Sequence, residues 1–330
     1  MKMNNIIKKS LQWTCFFSLA LIAFSCKTTK DTAKTMGAKA DTATMASDYG
    51  LEDALLWEIS GKGLQQPSYL FGTIHLIDKE SFYWPKGVLS AFESAEAVAF
   101  EIDMNQMAMD DMADMGSMMS IMTKAFMADG KTLKDLYSAE DYKVVKDHFA
   151  DQGLPMMLLE RIKPMFLTVF ASGDVEMGKG LADQASTKSY EMELFSLAQD
   201  SDKPVSGLET IEYQMSVFDS IPLDTQASML LETIKSSDTE DDAFKEMIQM
   251  YVDQKINDMV SFVSDDEMGI AGFEDVLLYT RNKNWIPVME DKMKSQRYFF
   301  AVGAGHLAGK DGVIDLLKKT GYTLKPLSHK

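Results

Sequence analysis

The chain has 330 residues, of which 46% are hydrophobic and 25% charged, proportions that are typical of a folded protein. It carries 33 Lys and Arg against 50 Asp and Glu, so its net charge is −17, and this acidity excludes proteins that bind nucleic acid through basic surfaces. Two cysteines are too few for a disulfide framework or a cysteine zinc site.

The first 25 residues predict a secretory signal of the lipoprotein type. An apolar run from Cys15 to Phe24 is shorter than the roughly 20 residues that a membrane-spanning helix needs. The basic residues before it are Lys2, Lys8 and Lys9. The run ends in Ala23-Phe24-Ser25-Cys26, which resembles a bacterial lipobox, so we expect Cys26 to be lipidated. A plain secretory signal or an uncleaved anchor is the alternative.

Residues 26–48 predict a flexible tether, because they are rich in Lys, Thr, Ala and Asp and show no apolar periodicity. Residues 49–330 are then expected to form one domain. Together with the signal, the tether indicates an extracytoplasmic protein of the bacterial cell envelope. We expect the lipid to anchor it to a membrane, in the outer membrane or facing the periplasm.

The amino-terminal part of the domain predicts strands separated by turns. Residues 54–59 and 68–75 are two apolar strands joined by the turn-rich GKGLQQP. A helix is expected from Pro85 to Phe92, and the apolar run 97–102 reads as a buried strand.

The remainder predicts a long helical region closed by a second group of strands. Apolar residues recur at helical spacing from about 104 to 290, with one short strand expected at 203–207. A strand at 297–302, a helix at 311–319 and a strand at 322–327 follow. Gly321 suits the left-handed position just after that helix.

The two ends of the domain resemble each other, since each has a strand, a G-x-x-H motif, a loop, a helix and a strand. The motifs are Gly72-Thr73-Ile74-His75 and Gly303-Ala304-Gly305-His306. We therefore predict an α/β (α+β) fold with a mixed central sheet formed from both chain ends, flanking helices and a long helical insertion. In such sheets, binding crevices form at the carboxyl ends of strands.

His75 and His306 are the candidate metal ligands, because their motifs lie at matching strand ends; His148 and His329 are expected to face solvent. The motif glycines Gly72, Gly303 and Gly305 would allow close backbone approach. Two imidazoles and carboxylates suit a divalent metal that activates water. The G-x-x-H motif alone is a very weak pattern, and a lone histidine is more often a hydrogen-bonded core residue than a ligand; the pairing of two motifs at matching positions favours a shared site.

Several charged residues are candidates for the chemistry beside these histidines. Glu101 and Asp103 end an apolar strand, where a carboxylate is costly unless it binds a cation or hydrogen bonds. Glu209 follows the expected strand 203–207, and its alternative is a first-turn helical acid. Arg281 and Asn282 lie in a helical stretch and would polarise a substrate carbonyl, or simply form a salt bridge and a cap.

Five motifs in order resemble the TraB/GumN family, which is similar to the Tiki metalloproteases. The resemblance covers about residues 51–327. The motifs are Leu55-Leu56-Trp57 with Tyr69 to His75, Phe100-Glu101-Ile102-Asp103, Gly207-Leu208-Glu209-Thr210 with Gln214, Arg281-Asn282 with Trp285, and Val302 to Leu307 followed by Gly312-Val313 and Leu316-Leu317.

This resemblance implies a metal-dependent hydrolase, most simply a peptidase acting on a peptide or protein. It implies that a divalent ion (Mn, Co or Zn) is held by His75, His306 and Glu101, with Glu101, Glu209, Arg281 and Asn282 as catalytic residues. No H-E-x-x-H helix is present, so the protein would not be an ordinary zincin. The alternative is a non-catalytic lipoprotein that sequesters a peptide or a metal at the same crevice.

Residues 104–127 contain nine methionines, interleaved with aspartates. Thioether ligands suit Cu(I), so one interpretation is copper binding. An adaptable methionine face used for packing or for gripping peptides is the interpretation we favour, and the segment would also serve as a flap over the site.

Overall fold

A computed structural model of the chain describes residues 51–106, 123–171, 186–237, 242–264 and 272–327. The signal, Cys26, the tether, His329 and most of the methionine-rich segment lie outside these ranges, so what the sequence predicts for them stays a prediction. Among the helices that are described, none combines the length and the apolar character needed to cross a membrane.

A six-stranded mixed sheet forms the centre of the molecule, in the order β6-β4-β7-β2-β1-β8. Its strands are β1 Leu56–Gly61, β2 Ser68–Thr73, β4 Ala97–Ile102, β6 Val205–Glu209, β7 Tyr298–Gly303 and β8 Tyr322–Pro326. The short strands β3 (Ile77–Asp78) and β5 (Thr187–Lys188) pair separately as a two-stranded ribbon.

Four neighbouring strands of the sheet, β6, β4, β7 and β2, run parallel. β1 then pairs antiparallel with both β2 and β8, which makes the sheet mixed. The carboxyl ends of the four parallel strands therefore lie along one edge, the position at which open α/β sheets place their crevices.

The pairing of β2 with β7 confirms the prediction that both chain ends share one sheet. The two strands are adjacent and parallel, and Thr73 lies opposite Gly303, so the two G-x-x-H motifs leave the sheet side by side. The predicted α/β fold with a mixed sheet is thus confirmed.

Several predicted boundaries were wrong by a few residues. β2 ends at Thr73, so His75 lies beyond the strand, and β6 continues to Glu209 because that residue pairs opposite Ile102. The first helix begins at Val88 and not at Pro85, since Gly87 takes a left-handed conformation with φ 89°.

Several helices start or stop at caps that their sequences provide. Ser138, Ser189 and Thr210 each accept a backbone N–H at a helix start, and Gly321 is left-handed with φ 100° after the last helix. The helices are α1 Val88–Ser94, α2 Ala139–Asp151, α3 Met156–Leu159, α4 Pro164–Ala171, α5 Tyr190–Asp200, α6 Ile211–Phe218, α7 Leu223–Ser237, α8 Asp242–Val252, α9 Ile256–Ser264, α10 Thr280–Ser295 and α11 Val313–Lys319.

The hydrophobic core lies around the sheet, with a smaller second core in the helical insertion. Every residue of β4 and β7 is buried, so both faces of the sheet centre are covered. Phe149 of α2, Leu167 of α4 and Leu230 of α7 belong to the second cluster. The helical insertion thus has its own core, separate from the core that surrounds the sheet.

Candidate active site

The predicted site residues converge on the carboxyl edge of the parallel strands. Glu101 is the penultimate residue of β4, Glu209 is the last residue of β6, and His75 lies two residues after β2. His306 ends a short 3₁₀ turn that follows β7 directly. A π-helical turn, Asp275–Tyr279, leads into α10, which supplies Arg281 and Asn282.

Glu101 is buried, and its two carboxylate oxygens face different partners. Oε1 accepts the backbone N–H of Gly303 at 2.9 Å and lies 3.6 Å from Nε2 of His306. Oε2 accepts from Nη2 of Arg281 at 2.5 Å and from the amide of Gln214 at 3.1 Å. Burial raises the pKa of Glu101, but the charge of Arg281 and the nearby donors outweigh it and hold that pKa well below its usual range.

Asp103, the carboxylate directly after this strand, has a local role. Its Oδ1 accepts the backbone N–H of Asn105 at 3.0 Å, which stabilises the turn after β4. Glu101 is therefore the carboxylate of this strand that faces the histidines.

Arg281 is buried, with a side chain 2% exposed, and joins the two site carboxylates. Its Nε and Nη2 donate to Oε1 of Glu209 at 2.9 and 2.7 Å, and Nη2 also donates to Glu101. Nη1 donates to the carbonyl of Leu277 at 3.0 Å and lies 3.3 Å from Nε2 of His306. All five N–H groups of the guanidinium thus have a partner.

Both carboxylate oxygens of Glu209 accept hydrogen bonds. Oε1 accepts from Arg281, and Oε2 accepts the indole N–H of Trp285 at 2.8 Å. Burial raises the pKa of Glu209 above its ordinary value, and the opposing attraction of Arg281 does not overcome it. The contacts favour a role for Glu209 in orienting the arginine.

His306 is buried and has a defined tautomer. Its Nδ1 lies 2.6 Å from Oδ1 of Asn282, and the amide nitrogen of Asn282 donates to the carbonyl of Asp311 at 3.0 Å. Because that nitrogen is already a donor, the amide oxygen must accept the Nδ1–H, which leaves the lone pair on Nε2. Burial lowers the pKa of His306 to about 3, so the ring is neutral.

His75 is oriented by a carboxylate that the sequence analysis missed. Its Nδ1 lies 2.8 Å from Oε1 of Glu191, the second residue of α5. Burial lowers the pKa of His75, but the charge of Glu191 and its hydrogen bond outweigh that effect and raise it above the ordinary value. The side chain of His75 is 18% exposed and that of His306 6%, so the site is more open at His75.

The residues present fit a divalent metal in their chemistry and orientation. A Cβ added to Gly303 would lie 3.3 Å from Oε1 of Glu101, 3.5 Å from Cδ2 of His306 and 3.9 Å from Nε2 of His75, so the three side chains border one space that the glycine leaves clear. Two imidazoles and a carboxylate suit Zn, Mn or Co. Within the described ranges, no three His, Cys, Asp or Glu side chains have an arrangement that would hold a metal ion as it stands.

The three motif glycines differ in what their surroundings require. A Cβ on Gly72 would lie 2.6 Å from Cδ1 of Leu307 and 3.1 Å from Cα of Ala304, so this glycine lets β2 pack against the turn that carries His306. A Cβ on Gly305 would meet nothing within 4 Å. A side chain at position 72 would therefore require Leu307 and the turn at Ala304 to shift, whereas the space at position 305 is open.

Comparison with known proteins finds a family model that matches most of the chain. The model of the TraB/PrgY/gumN family matches residues 55–326. Metalloprotease TIKI2 of Danio rerio is 24% identical over 83% of this chain and 61% of its own length, and metalloprotease TIKI1 of Danio rerio is 22% identical over 83% and 63%. Metalloprotease TIKI2 of Xenopus tropicalis is 22% identical over 83% and 60%. The chain thus spans about three fifths of these relatives. No solved structure matches it.

Proposed function

Because this chain belongs to the TraB/PrgY/gumN family, we propose that it is a metal-dependent hydrolase that cleaves peptide bonds. One observation carries the proposal: the two G-x-x-H histidines and Glu101 border the same space at the ends of β2, β7 and β4. The relatives that are named metalloproteases support the reaction class.

Nε2 of His75, Nε2 of His306 and Oε1 of Glu101 are the atoms that would hold the metal. A divalent cation bound there would supply a Lewis acid and lower the pKa of a bound water. The depressed pKa of Glu101 suits this role, since a carboxylate ligand must be ionised. Mn, Co and Zn are all compatible with these ligands.

The other residues of the site orient these donors. Asn282 holds His306 in the tautomer that presents Nε2, and Arg281 holds Glu101 through Oε2, which leaves Oε1 toward the histidines. With its donors engaged, Arg281 acts by position and charge, and contact with a substrate oxyanion would require it to release a partner. The proton relay expected from Glu101 or Glu209 remains a prediction; of the two, Glu209 has the raised pKa that a base needs.

A second candidate is a lipoprotein that sequesters a peptide or metal without turnover. Without a metal, every N–H of Arg281 faces an acceptor and none is free to stabilise a developing charge, which favours this candidate. A metal bound to Nε2 of His306 would release the Nη1–H that faces this atom. Under either function we propose an extracytoplasmic protein of the cell envelope, anchored through Cys26 and acting on peptides or proteins.

The test is metal-restored peptide cleavage by the full-length chain. The protein is stripped of metal, and cleavage of a peptide library is measured after addition of Mn²⁺, Co²⁺ or Zn²⁺. We expect His75→Ala and His306→Ala to abolish turnover. His148→Ala is the matched control, because His148 lies on α2 and bonds Gln152, and it should keep full activity.

Two outcomes would contradict the proposal. Full turnover in both His75→Ala and His306→Ala would exclude the site. Tight peptide or metal binding by the wild type without cleavage would establish sequestration in place of hydrolysis.

A further inference from the structure

Glu191 is surrounded by hydrogen-bond donors from two parts of the chain. Its Oε1 accepts from the hydroxyl of Thr73 at 2.5 Å and faces Nδ1 of His75 at 2.8 Å. Its Oε2 accepts from the hydroxyl of Ser189 at 3.0 Å. The side chain is 11% exposed, so these contacts replace water at a buried carboxylate.

This arrangement holds the carboxylate in one orientation, and a glutamate is ordinarily ionised at neutral pH. Glu191 lies in the first turn of α5, where the helix dipole favours a negative charge. An ionised carboxylate only accepts hydrogen bonds, so the contact with His75 requires a proton on Nδ1.

The position of that proton decides what His75 presents to the site. With Nδ1–H directed at Glu191, the lone pair of the neutral ring is on Nε2, the atom that lies 3.9 Å from the Cβ position of Gly303. The neutral amide of Asn282 likewise accepts the Nδ1–H of His306 and leaves the lone pair of that ring on Nε2. The two halves of the repeat therefore fix the same tautomer with different partners.

We propose that Glu191 is a positioning residue that locks His75 in the Nδ1–H tautomer and directs its Nε2 lone pair into the metal site. This inference rests on the proposed function in assigning His75 as a metal ligand. Carboxylates that bond metal-ligating histidines in this way orient the ring and strengthen it as a ligand, and their loss weakens metal binding about 10- to 100-fold.

The experiment compares Glu191→Ala and Glu191→Gln with Glu193→Ala in the full-length chain. Glu193 is the matched control, because it is an acid in the same helical turn but pairs with Lys188 at 3.0 Å. The first measurement is the ¹⁵N chemical shifts of the His75 ring in metal-free protein at a pH where the ring is neutral. The second is the dissociation constant for Zn²⁺ and for Mn²⁺.

We expect the wild type and Glu193→Ala to show the Nδ1–H tautomer and dissociation constants within about twofold of each other. Glu191→Ala should give a mixture of tautomers and bind metal about 10- to 100-fold more weakly. Glu191→Gln should keep the tautomer through its amide oxygen and lose about tenfold in affinity, the lower end of that range.

An unchanged tautomer in Glu191→Ala, or metal affinity equal to the control in both Glu191 variants, would overturn the inference. If one variant does not fold, the other decides by the same comparison with Glu193→Ala. A wild type that binds neither metal would contradict the proposed function alone, because the tautomer measurement needs no metal.

Discussion

Replacing Arg281 by Met is the most severe test of how the site is held together. The guanidinium is buried and donates to both Glu101 and Glu209, whose side chains are 10% and 4% exposed. Removal of one partner from a buried ion pair costs about 3–5 kcal/mol, because the other charge stays buried without compensation. Since one arginine here serves two carboxylates, we expect Arg281→Met to lose about 5 kcal/mol of unfolding free energy at pH 7.

The loss should depend on pH with a definite sign. In the wild type the pKa of Glu101 is depressed, so its contribution to stability is present above the unfolded pKa and is lost as pH falls. Without Arg281, burial raises the folded pKa of both carboxylates, so the variant gains relative stability as pH falls. The difference between the two proteins should therefore be largest near pH 7–8 and shrink toward pH 5.

Urea unfolding followed by circular dichroism at several pH values between 5 and 8 measures this difference. Arg297→Met is the matched control, because Nη1 of Arg297 donates to the carbonyl of Ser94 at 2.9 Å, and the loss there should be about 1 kcal/mol. Adding Glu209→Gln to Arg281→Met should recover part of the loss by removing one buried charge. A loss below about 1 kcal/mol, or one that is constant with pH, would refute the reasoning.

Two further predictions concern the space around Gly303 and the protonation of His306. Gly303→Ala should weaken metal binding about tenfold or more at nearly unchanged stability, because its Cβ would lie 3.3 Å from Oε1 of Glu101. Gly305→Ala is the control and should bind metal like the wild type. Equal metal affinities for the two variants in a titration would contradict this prediction. In metal-free protein, burial lowers the pKa of His306 to about 3, so below about pH 6.5 the unfolded chain binds more protons than the folded chain. The free energy of unfolding should therefore decrease as the pH decreases, by up to about 1.4 kcal/mol per pH unit. His306→Gln should show a shallower dependence in urea unfolding between pH 7 and 5, and an identical slope would exclude that cause.

The elements that the sequence predicted well are those with strong local patterns. Uninterrupted apolar runs mark β4 and β7 because both strands are buried on both faces. The repeated G-x-x-H motif correctly indicated that the two chain ends share a sheet, and Thr73 indeed pairs opposite Gly303. Strand and helix ends were less predictable, since pairing with a neighbour extends β6 to Glu209.

The contacts within the site were beyond prediction from local patterns. His75 and Glu191 are separated by 116 residues, and in the sequence Glu191 is simply an acid after the helix cap Ser189. Arg281 meets Glu101 across 180 residues, and only the family resemblance suggested that they converge. The sharing of one arginine by two carboxylates follows from the tertiary packing of α10 and cannot be read from its sequence.

The order of strands has a consequence for when the site can exist during synthesis. β7, at residues 298–303, lies between β4 and β2 in the sheet, so a strand that is made long after both of its neighbours separates them. Until then, β2 and β4 have no common neighbour, and His306 has not been made. A nascent or truncated chain that lacks β7 therefore cannot assemble the site, and any activity is delayed until β7 and His306 have been made.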